Sequence, residues 1–479
     1  MKILYVASEV APFVKTGGLG DVAGSLPQAL AKNGHEVAVM LPLYAAVNED
    51  FRARMQTVLE GHVQLAWRRQ YCGVRMLEEG GVKYYFIDNE YYFKRSEIYG
   101  AFDDAERFAF FSKAVLEVLP QIDLKPDVIN ANDWQSALVP IYYKLLYAAD
   151  EWYAGIKTVF TIHNIQYQGQ FTASILQDVF GLDQRYFDNG LLEFSGGINL
   201  MKGALVLTDF ITTVSPTYAL EIQSAYYAYG LHKILQENSY KLRGILNGID
   251  VDVYNPAKDP HLFENYSVRN FTRKKQNKEE LMRLLGMKAD DSVPVVAIIS
   301  RLVAHKGIDL VEGVLDELLS LDLRLVVVGT GEWRYEQLFK NAQERYPGKI
   351  SANILFSPDL ASKVYAGADI FLMPSQSEPC GLSQMIAMRY GTIPIVRETG
   401  GLKDTVLAYT PENELSNGFS FTNYNAHDML HVVEQACAMY KNDPKEWKKL
   451  VKKGLTADFS WSKSALAYID VYTALTGEN

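Results

Sequence analysis

The chain has 479 residues, of which 48% are hydrophobic and 22% are charged, a composition typical of a globular protein with large cores. This length predicts two or three domains. The formal net charge of −10 argues against a broad nucleic-acid footprint, although local basic residues and helix ends can still hold a small anion. The three widely spaced cysteines predict a reducing, cytoplasmic setting without a disulfide framework. No apolar run is long enough for a membrane span, and Glu9 interrupts the first one, which therefore predicts a strand and not a signal peptide.

The first half of the chain alternates short apolar runs with helix-like runs. The predicted strands are 3–8, 36–41, 83–87, 127–130, 158–162 and 211–214, and the predicted helices include 21–32, 105–119 and 134–147. Such alternation, with strands that are nearly continuous in Val, Ile and Leu, predicts a parallel sheet covered by helices on both faces.

A polar, irregular stretch from Asn247 to Lys275 predicts a domain junction, after which the alternation restarts. The predicted strands there are 294–299, 323–328, 370–373 and 393–396, and the helices are 307–319, 332–345, 382–389, 428–440 and 444–453. The fold class is therefore α/β, with two doubly wound (Rossmann-like) domains, assigned to residues 1–247 and 248–457.

The tetrapeptide Thr-Gly-Gly-Leu occurs twice, at 16–19 and at 399–402, each time between a predicted strand and a predicted helix. Paired glycines permit a sharp turn close to a ligand, and the first amides of a helix can bind an anion. The repeat favours two similar nucleotide-binding domains that face each other across a deep cleft. Two ordinary strand–helix turns are the alternative.

Three loops at predicted strand ends carry candidate binding groups. Lys15 precedes the first glycine pair and can reach a phosphate, but no Walker sequence follows it. Arg301 and Lys306 flank the next loop and can both point at one diphosphate. Surface solvation or helix capping is the alternative for each cation.

The segment 374–384 has the highest density of candidate groups. The amides of Gly381, Leu382 and Ser383 are predicted to form an anion site at a helix start. A carboxylate beside such a site, here Glu378, is explained if it contacts a sugar hydroxyl or a developing positive charge. A helix cap or an ion pair with a distant arginine is the alternative.

Two further strand ends carry His163 and the pair Asp133–Trp134. An aspartate beside a tryptophan suits hydrogen bonding to and stacking on a sugar, and a helix cap followed by a core tryptophan is equally compatible. No zinc-type cluster is present, and Asp250-Val251-Asp252 is predicted to form a turn and not a Mg²⁺ site.

Taken together, the segments 15–22, 161–169, 300–307, 377–384 and 397–402 closely resemble the bacterial and plant type of glycogen/starch synthase, from Met1 to about Ser464. The resemblance implies the GT-B architecture and a retaining transfer of glucose from ADP-glucose to an α-1,4-glucan, with no metal or other cofactor. It also implies that the C-terminal segment 458–479 contains a helix that packs back on the first domain.

The resemblance also assigns roles to individual residues. Arg301 and Lys306 correspond to the pair that neutralises the distal phosphate, and Glu378 to the acid beside the donor glucose. The implied donor contacts are Lys15, Gly18, His163, Asn247, Cys380, Gly381, Leu382 and Ser383, and the implied acceptor side is Asp21, Tyr99, Asp133 and Trp134. Phe356 stands where relatives can carry a tyrosine against the adenine, so stacking is retained and a hydroxyl contact is lost.

Two other functions remain open at this point. One is a related transferase of the same fold that uses UDP-glucose, and the other is a non-catalytic protein that binds glucan or nucleotide. Intact Lys15, His163, Arg301, Lys306 and Glu378 argue against the second. Neither nucleic acid nor a membrane is expected as a partner.

Overall fold

The protein's structure, a computed structural model, describes residues 1–477, so the last two residues of the predicted C-terminal segment lie outside it. Unit 1 combines Met1–Gly248 with the chain from Trp461 onward, and unit 2 is Ile249–Ser460. No helix among the described residues combines the length and apolar character needed to cross a bilayer.

Unit 1 is built on a nine-stranded sheet with the order β12-β11-β7-β6-β1-β2-β5-β4-β3. Unit 1 also contains a small antiparallel sheet of β8, β10 and β9. The strands of the two sheets are β1 Lys2–Val6, β2 Glu36–Pro42, β3 Gln56–Leu65, β4 Arg68–Glu79, β5 Val82–Asp88, β6 Val128–Asn132, β7 Lys157–Ile162, β8 Gln170–Thr172, β9 Glu193–Phe194, β10 Gly197–Asn199, β11 Phe210–Thr213 and β12 Leu242–Gly244.

The helices of unit 1 that precede the junction are α1 Gly18–Lys32, α2 Glu49–Arg54, α3 Glu90–Phe93, α4 Asp104–Val118, α5 Leu138–Tyr142, α6 Ile175–Asp178, α7 Arg185–Asp188, α8 Leu200–Leu207, α9 Pro216–Glu221 and α10 His232–Glu237. The helix predicted over 134–147 is broken into a 3₁₀ turn, α5 and a π-helical turn. Pro140 has no amide hydrogen, so it cannot donate the backbone hydrogen bond that would join α5 to the preceding turn as one continuous helix.

The prediction of a purely parallel sheet is wrong at one edge of unit 1. There β3 pairs antiparallel with β4, and β4 pairs antiparallel with β5. This hairpin has many exposed positions, so its sequence lacks the continuous apolar runs that identified the buried parallel strands.

Unit 2 contains a six-stranded, wholly parallel sheet with the order β15-β14-β13-β16-β17-β18. Its strands are β13 Val295–Ile299, β14 Arg324–Val328, β15 Ile350–Asn353, β16 Ile370–Met373, β17 Ile393–Arg397 and β18 Phe419–Phe421. Its helices are α11 Lys274–Leu284, α12 Ile308–Gly313, α13 Leu315–Ser320, α14 Trp333–Arg345, α15 Pro358–Gly367, α16 Ser383–Arg389, α17 Gly400–Thr405, α18 Ala426–Asn442 and α19 Pro444–Thr456. The helix predicted over 307–319 is divided at Val314 into α12 and α13.

The strand orders determine where each unit can bind a ligand. In unit 2 the order corresponds to 3-2-1-4-5-6, the arrangement of a dinucleotide-binding domain, and it reverses between β13 and β16. In unit 1 the corresponding reversal lies between β1 and β6. Ligands of such sheets bind beyond the carboxyl ends of the strands at these points, and the segments that follow β1, β6, β13 and β16 contain most of the predicted site residues.

The final helix, α20 (Trp461–Thr476), packs against α1 in unit 1. Tyr472 is fully buried, and its hydroxyl donates a 2.7 Å hydrogen bond to Oδ1 of Asn130 in β6. The last helix thereby stabilises the centre of the sheet formed by the first half of the chain.

We expect Tyr472→Phe to lower the melting temperature by roughly 2–6 °C, because the buried Asn130 oxygen loses its donor at a cost of about 1–2 kcal/mol. Thermal unfolding followed by circular dichroism measures the change. The matched control is Tyr240→Phe, because Tyr240 is 82% exposed. Equal melting temperatures for both variants would contradict this role of α20.

Candidate functional site

Glu9 organises the glycine loop of unit 1. Its Oε2 accepts hydrogen bonds from the backbone N and Oγ1 of Thr16, both at 2.6 Å, and its Oε1 accepts from the Gly20 amide at 3.2 Å. The side chain is buried, so the carboxylate determines the path of the loop from within the protein. The sequence interpretation missed this role, although an acidic residue between an apolar strand and a glycine loop is a signal that could have indicated it.

The outer side of the same loop carries Lys15, Gly18 and Asp21. Lys15 Nζ lies 2.7 Å from Asp21 Oδ1, and both side chains are partly exposed. A Cβ atom at Gly18 would meet no other atom within 4 Å, so the backbone there is open to an approaching ligand. The structure therefore brings these three predicted residues together on one accessible loop.

Asp133 and His163 are adjacent at the carboxyl ends of β6 and β7. Asp133 has φ +54°, and its Oδ1 accepts the backbone amides of His163 at 2.8 Å and Asn164 at 3.3 Å. Burial raises the pKa of the Asp133 carboxyl to about 7. Residues with unusual backbone conformation and shifted pKa values are frequent at functional sites.

His163 is neutral at physiological pH, because burial lowers the pKa of its imidazole to about 3. Its Nε2 lies 2.8 Å from Oδ1 of Asn132, whose amide nitrogen donates to the carbonyl oxygens of Val6 and Asn130. Asn132 Oδ1 is therefore the acceptor and His163 Nε2 carries the hydrogen, which leaves Nδ1 as an acceptor.

An aromatic cluster borders Asp133. The centroid of the Trp134 ring lies 5.2 Å from that of Phe108 and 5.7 Å from that of Phe171. The backbone of Gly169 lies against the indole, so closely that a Cβ atom would come within 2.7 Å of it. Tyr99 contacts Phe108 and forms a 2.8 Å hydrogen bond with Ser8, which follows β1. The four predicted acceptor-side residues (Asp21, Tyr99, Asp133, Trp134) therefore all lie near the carboxyl ends of β1 and β6 or on the elements that pack there.

In unit 2, Lys306 and Glu378 form an ion pair across the switch point. Lys306 Nζ lies 2.6 Å from Glu378 Oε2, which also accepts the Ser375 hydroxyl at 3.0 Å. Glu378 is 8% exposed. The alternative reading of Glu378, a helix cap or an ion pair with a distant arginine, is therefore wrong, because its partner is a lysine from the neighbouring loop.

Arg301 differs from Lys306 because its guanidinium makes no hydrogen bond or ion pair within residues 1–477. It is exposed beyond the end of β13. The backbone directly after Lys306 is close-packed: Gly307 has φ +78°, and a Cβ atom there would lie 2.1 Å from the Pro374 carbonyl oxygen. Arg301 is therefore a cation available to a ligand.

Arg397 and the second glycine pair support the Glu378 loop. Arg397 Nε donates to the Ser375 carbonyl oxygen at 2.9 Å. The Gly401 amide donates to the carbonyl oxygens of Glu378 and Pro379, and a Cβ atom at Gly400 (φ +43°) would lie 2.0 Å from the Glu378 carbonyl oxygen. The prediction that the second Thr-Gly-Gly-Leu forms an anion site is wrong, because its helix amides are already hydrogen-bonded.

The amides of Gly381, Leu382 and Ser383 remain without an acceptor among the described residues, so the prediction of available donors stands for this loop. Cys380 is buried beside them. Gln384 Nε2 donates to the carbonyl oxygens of Cys380 and Gly381 at 3.2 and 3.0 Å and closes the turn.

The remaining predicted site residues are Asn247 and Phe356. Asn247 is buried in unit 1, and its Oδ1 has no hydrogen-bond partner among the described residues. Phe356 is 88% exposed in the loop after β15 in unit 2, separated in the sheet from the switch point by two strands. Its assignment to the adenine stays a prediction.

Asp250 forms the predicted turn, because its Oδ1 accepts the amides of Asp252 at 2.8 Å and Val253 at 3.1 Å. Within residues 1–477 no group of three or more His, Cys, Asp or Glu side chains is arranged to hold a metal ion.

Comparisons with known proteins cover the whole chain. Residues 2–237 match the family model of the starch synthase catalytic domain, and residues 287–454 match that of glycosyl transferases group 1. The glycogen synthase of Geobacillus thermodenitrificans is 52% identical over 99% of this chain and 98% of its own length.

Two solved structures are also similar. The catalytic domain of starch synthase IV from Arabidopsis thaliana, bound to ADP and acarbose, has a TM-score of 0.92 at 35% identity and covers 99% of both chains. A sucrose-phosphate synthase from Thermosynechococcus elongatus has a TM-score of 0.62 at 17% identity over 100% of both chains, which is a likeness of fold alone. The predicted GT-B fold class is confirmed.

The low pKa of His163 predicts a pH-dependent contribution to stability. Its ordinary value in an unfolded chain is about 6.5. Below that pH the unfolded chain binds a proton that the folded chain does not, so the free energy of unfolding falls as the pH falls from about 6.5 toward 3. Asp133 has the opposite effect, because its raised pKa favours the folded state at low pH.

We therefore expect the difference in the free energy of unfolding between the wild type and His163→Gln to shrink as the pH is lowered from 6.5 to 4.5, by at most about 1.4 kcal/mol per pH unit. Thermal unfolding at each pH measures this as a smaller difference in melting temperature. Comparing variant with wild type at each pH cancels the Asp133 contribution. The control is Leu220→Gln, at an exposed position without an ionisable group, for which the difference should not vary with pH. A constant difference for His163→Gln would contradict the neutral, buried imidazole.

Proposed function

We propose the reaction of this protein from one premise: the chain belongs to the glycogen synthase family. It is a glycosyltransferase of GT-B fold, and it transfers glucose from ADP-glucose to the non-reducing end of an α-1,4-glucan. Full-length similarity to a curated glycogen synthase supports this activity. Of the structural observations, the one that carries the proposal is the grouping of Arg301, Lys306 and Glu378 at the unit 2 switch point.

The cations stabilise the leaving group. When the bond between the glucosyl carbon and the phosphate oxygen breaks, negative charge develops on ADP. Arg301 supplies a bidentate fork, Lys306 a compact charge, and the amides near Gly381 supply neutral donors. Preorganised donors of this kind are each worth roughly 3–4 kcal/mol in the transition state.

Glu378 acts on the sugar side of the same bond. Its Oε2 is held by Lys306 and Ser375, so the carboxylate has a defined position before the donor binds. Positive charge develops on the glucosyl ring as the leaving group departs, and an adjacent carboxylate stabilises it, either electrostatically or as a nucleophile. The anomeric configuration of the product is retained.

Unit 1 supplies sugar contacts. Neutral His163 offers the lone pair of Nδ1 to a glucose hydroxyl, while Nε2 is fixed by Asn132. The unpartnered, buried Oδ1 of Asn247 is a second acceptor for a hydroxyl. Asp133 and the Trp134 cluster bind the acceptor by hydrogen bonding and stacking.

No separate general base is required, because the departing phosphate oxygen accepts the proton of the attacking acceptor hydroxyl. The transfer also proceeds without a metal ion in this proposal, because Arg301, Lys306 and the amides near Gly381 supply the electrostatic stabilisation that a metal ion would give the diphosphate. We also propose that the protein is cytoplasmic and that Phe356 stacks on the adenine of the donor.

Substitution of the two cations tests the leaving-group assignment. We expect Arg301→Ala and Lys306→Ala each to lower kcat for ADP release by about a hundredfold or more. The matched controls are Arg269→Ala and Lys340→Ala, two exposed positions in unit 2 at which activity should stay close to that of the wild type. Near-normal turnover of Arg301→Ala or Lys306→Ala would contradict the assignment.

Donor preference and metal independence are measured in one experiment. We expect ADP release from ADP-glucose to depend on added glycogen and to be unchanged by EDTA. Release that is lost in EDTA and restored by Mg²⁺ would contradict the metal-free reaction. Glycogen-dependent release of UDP from UDP-glucose, with none of ADP from ADP-glucose, would retain the fold and overturn the donor.

A further inference from the structure

The fully buried side chain of Arg107 holds the segment that carries Tyr99. Arg107 lies in the first turn of α4 and is 0% exposed. Its Nε donates to the Tyr92 carbonyl oxygen at 2.8 Å, and its Nη1 donates to the Ile98 carbonyl oxygen at 3.2 Å and to Oδ1 of Asp104. The guanidinium therefore joins α3, the segment that follows it and the start of α4.

Asp104 completes a clamp around Tyr99. Its Oδ1 pairs with Arg107, and its Oδ2 accepts the Gly100 amide at 2.7 Å. The two peptide units that flank the Tyr99 Cα are therefore each hydrogen-bonded, the first to Arg107 and the second to Asp104. Because peptide units are planar, fixing both of them restricts the direction in which the Tyr99 side chain leaves the backbone.

The clamp lies beside the rings assigned to the acceptor. The Tyr99 hydroxyl forms a 2.8 Å hydrogen bond with Ser8, and the centroid of its ring lies 6.1 Å from that of Phe108. Phe108 follows Arg107 on α4, and the centroid of its ring lies 5.2 Å from that of Trp134. Loosening the clamp would therefore shift Tyr99 relative to Trp134 and to the end of β1.

Stability alone explains this arrangement poorly. Burying an ion pair costs desolvation free energy that the attraction between its charges does not reliably recover. Nη2 of Arg107 also has no hydrogen-bond partner among the described residues, and an unpaired buried donor lowers the free energy of unfolding. We propose that the Arg107–Asp104 pair positions Tyr99 for the glucan acceptor without touching the ligand itself.

This inference rests on the proposed function, because it takes Tyr99 as a contact of the acceptor. The clamp belongs to unit 1, whereas Arg301 and Lys306, which are proposed to bind the diphosphate, belong to unit 2. Substitution of Arg107 should therefore impair use of the acceptor and leave the affinity for ADP unchanged. A displacement of about 1 Å that originates away from the chemistry can lower a rate by about a hundredfold, so the loss should be easily measured.

A double-mutant cycle separates positioning from a merely structural role. We expect Arg107→Met to lower kcat/KM for glycogen by about tenfold or more in the wild-type background. In the Tyr99→Ala background the same substitution should lower it by less than about twofold, because the clamp acts through that ring. The Kd for ADP, measured by calorimetry, should stay at the wild-type value in every variant.

Two further variants accompany the cycle. The matched control is Lys113→Met, because Lys113 is another mostly buried cation of α4, pairs with Glu117 at 3.6 Å and should leave activity unchanged. Arg107→Lys retains a cation beside Asp104, so the cycle can be measured even if Arg107→Met does not fold. We expect a loss in the same direction, because a lysine lacks the planar fork that holds the two carbonyl groups.

Hydrogen exchange followed by mass spectrometry tests the clamp without turnover. We expect residues 94–103 to exchange faster in Arg107→Met than in the wild type, because the segment loses its anchor to α4. Unchanged exchange there would overturn the inference, as would an equal loss of activity in both Tyr99 backgrounds or a weaker affinity for ADP. Failure of the wild type to transfer glucose to glycogen would contradict the proposed function alone, because exchange is measured independently.

Discussion

The reversal of strand order between β13 and β16 is the constraint on which the unit 2 site depends. It brings the loops after two strands that are distant in sequence to one edge of the sheet, so that Lys306 Nζ and Glu378 Oε2 meet at 2.6 Å. Such a pair is costly to bury, and removing one partner leaves an uncompensated charge. The surrounding loop is accordingly rigid, with Arg397 and the glycines 400 and 401 fixing the backbone of residues 375–380.

The ion pair also implies competition on binding. A nucleotide diphosphate that approaches Arg301 and the free amides of Gly381–Ser383 brings negative charge to Lys306, which Glu378 already neutralises. In our account Lys306 is shared between the diphosphate and Glu378, and the carboxylate is thereby directed toward the sugar. In this proposal the negative charge of Glu378 weakens nucleotide binding and stabilises the transition state.

The sequence predicted the inner parallel strands, the domain class and most of the clustered residues, because buried strands and glycine turns leave strong local patterns. It missed the outermost parallel strands β12, β15 and β18, which are only three or four residues long. It did not predict the β3–β4 hairpin, whose exposed positions interrupt the apolar pattern, or the roles of Glu9, Asn132 and Arg397, which depend on contacts between distant segments. The repeated Thr-Gly-Gly-Leu is instructive, because identical residues serve different purposes. The first copy forms an open loop organised by the Glu9 side chain, and the second packs under the Glu378 backbone.

The most direct test of the shared lysine is a calorimetric comparison of ADP binding to the wild type and to Glu378→Gln, with turnover measured in parallel. We expect Glu378→Gln to bind ADP severalfold more tightly, because Lys306 and Arg301 then face the diphosphate without a competing carboxylate, and its turnover to fall by about a hundredfold or more. Weaker binding of ADP by Glu378→Gln, or turnover close to that of the wild type, would contradict it.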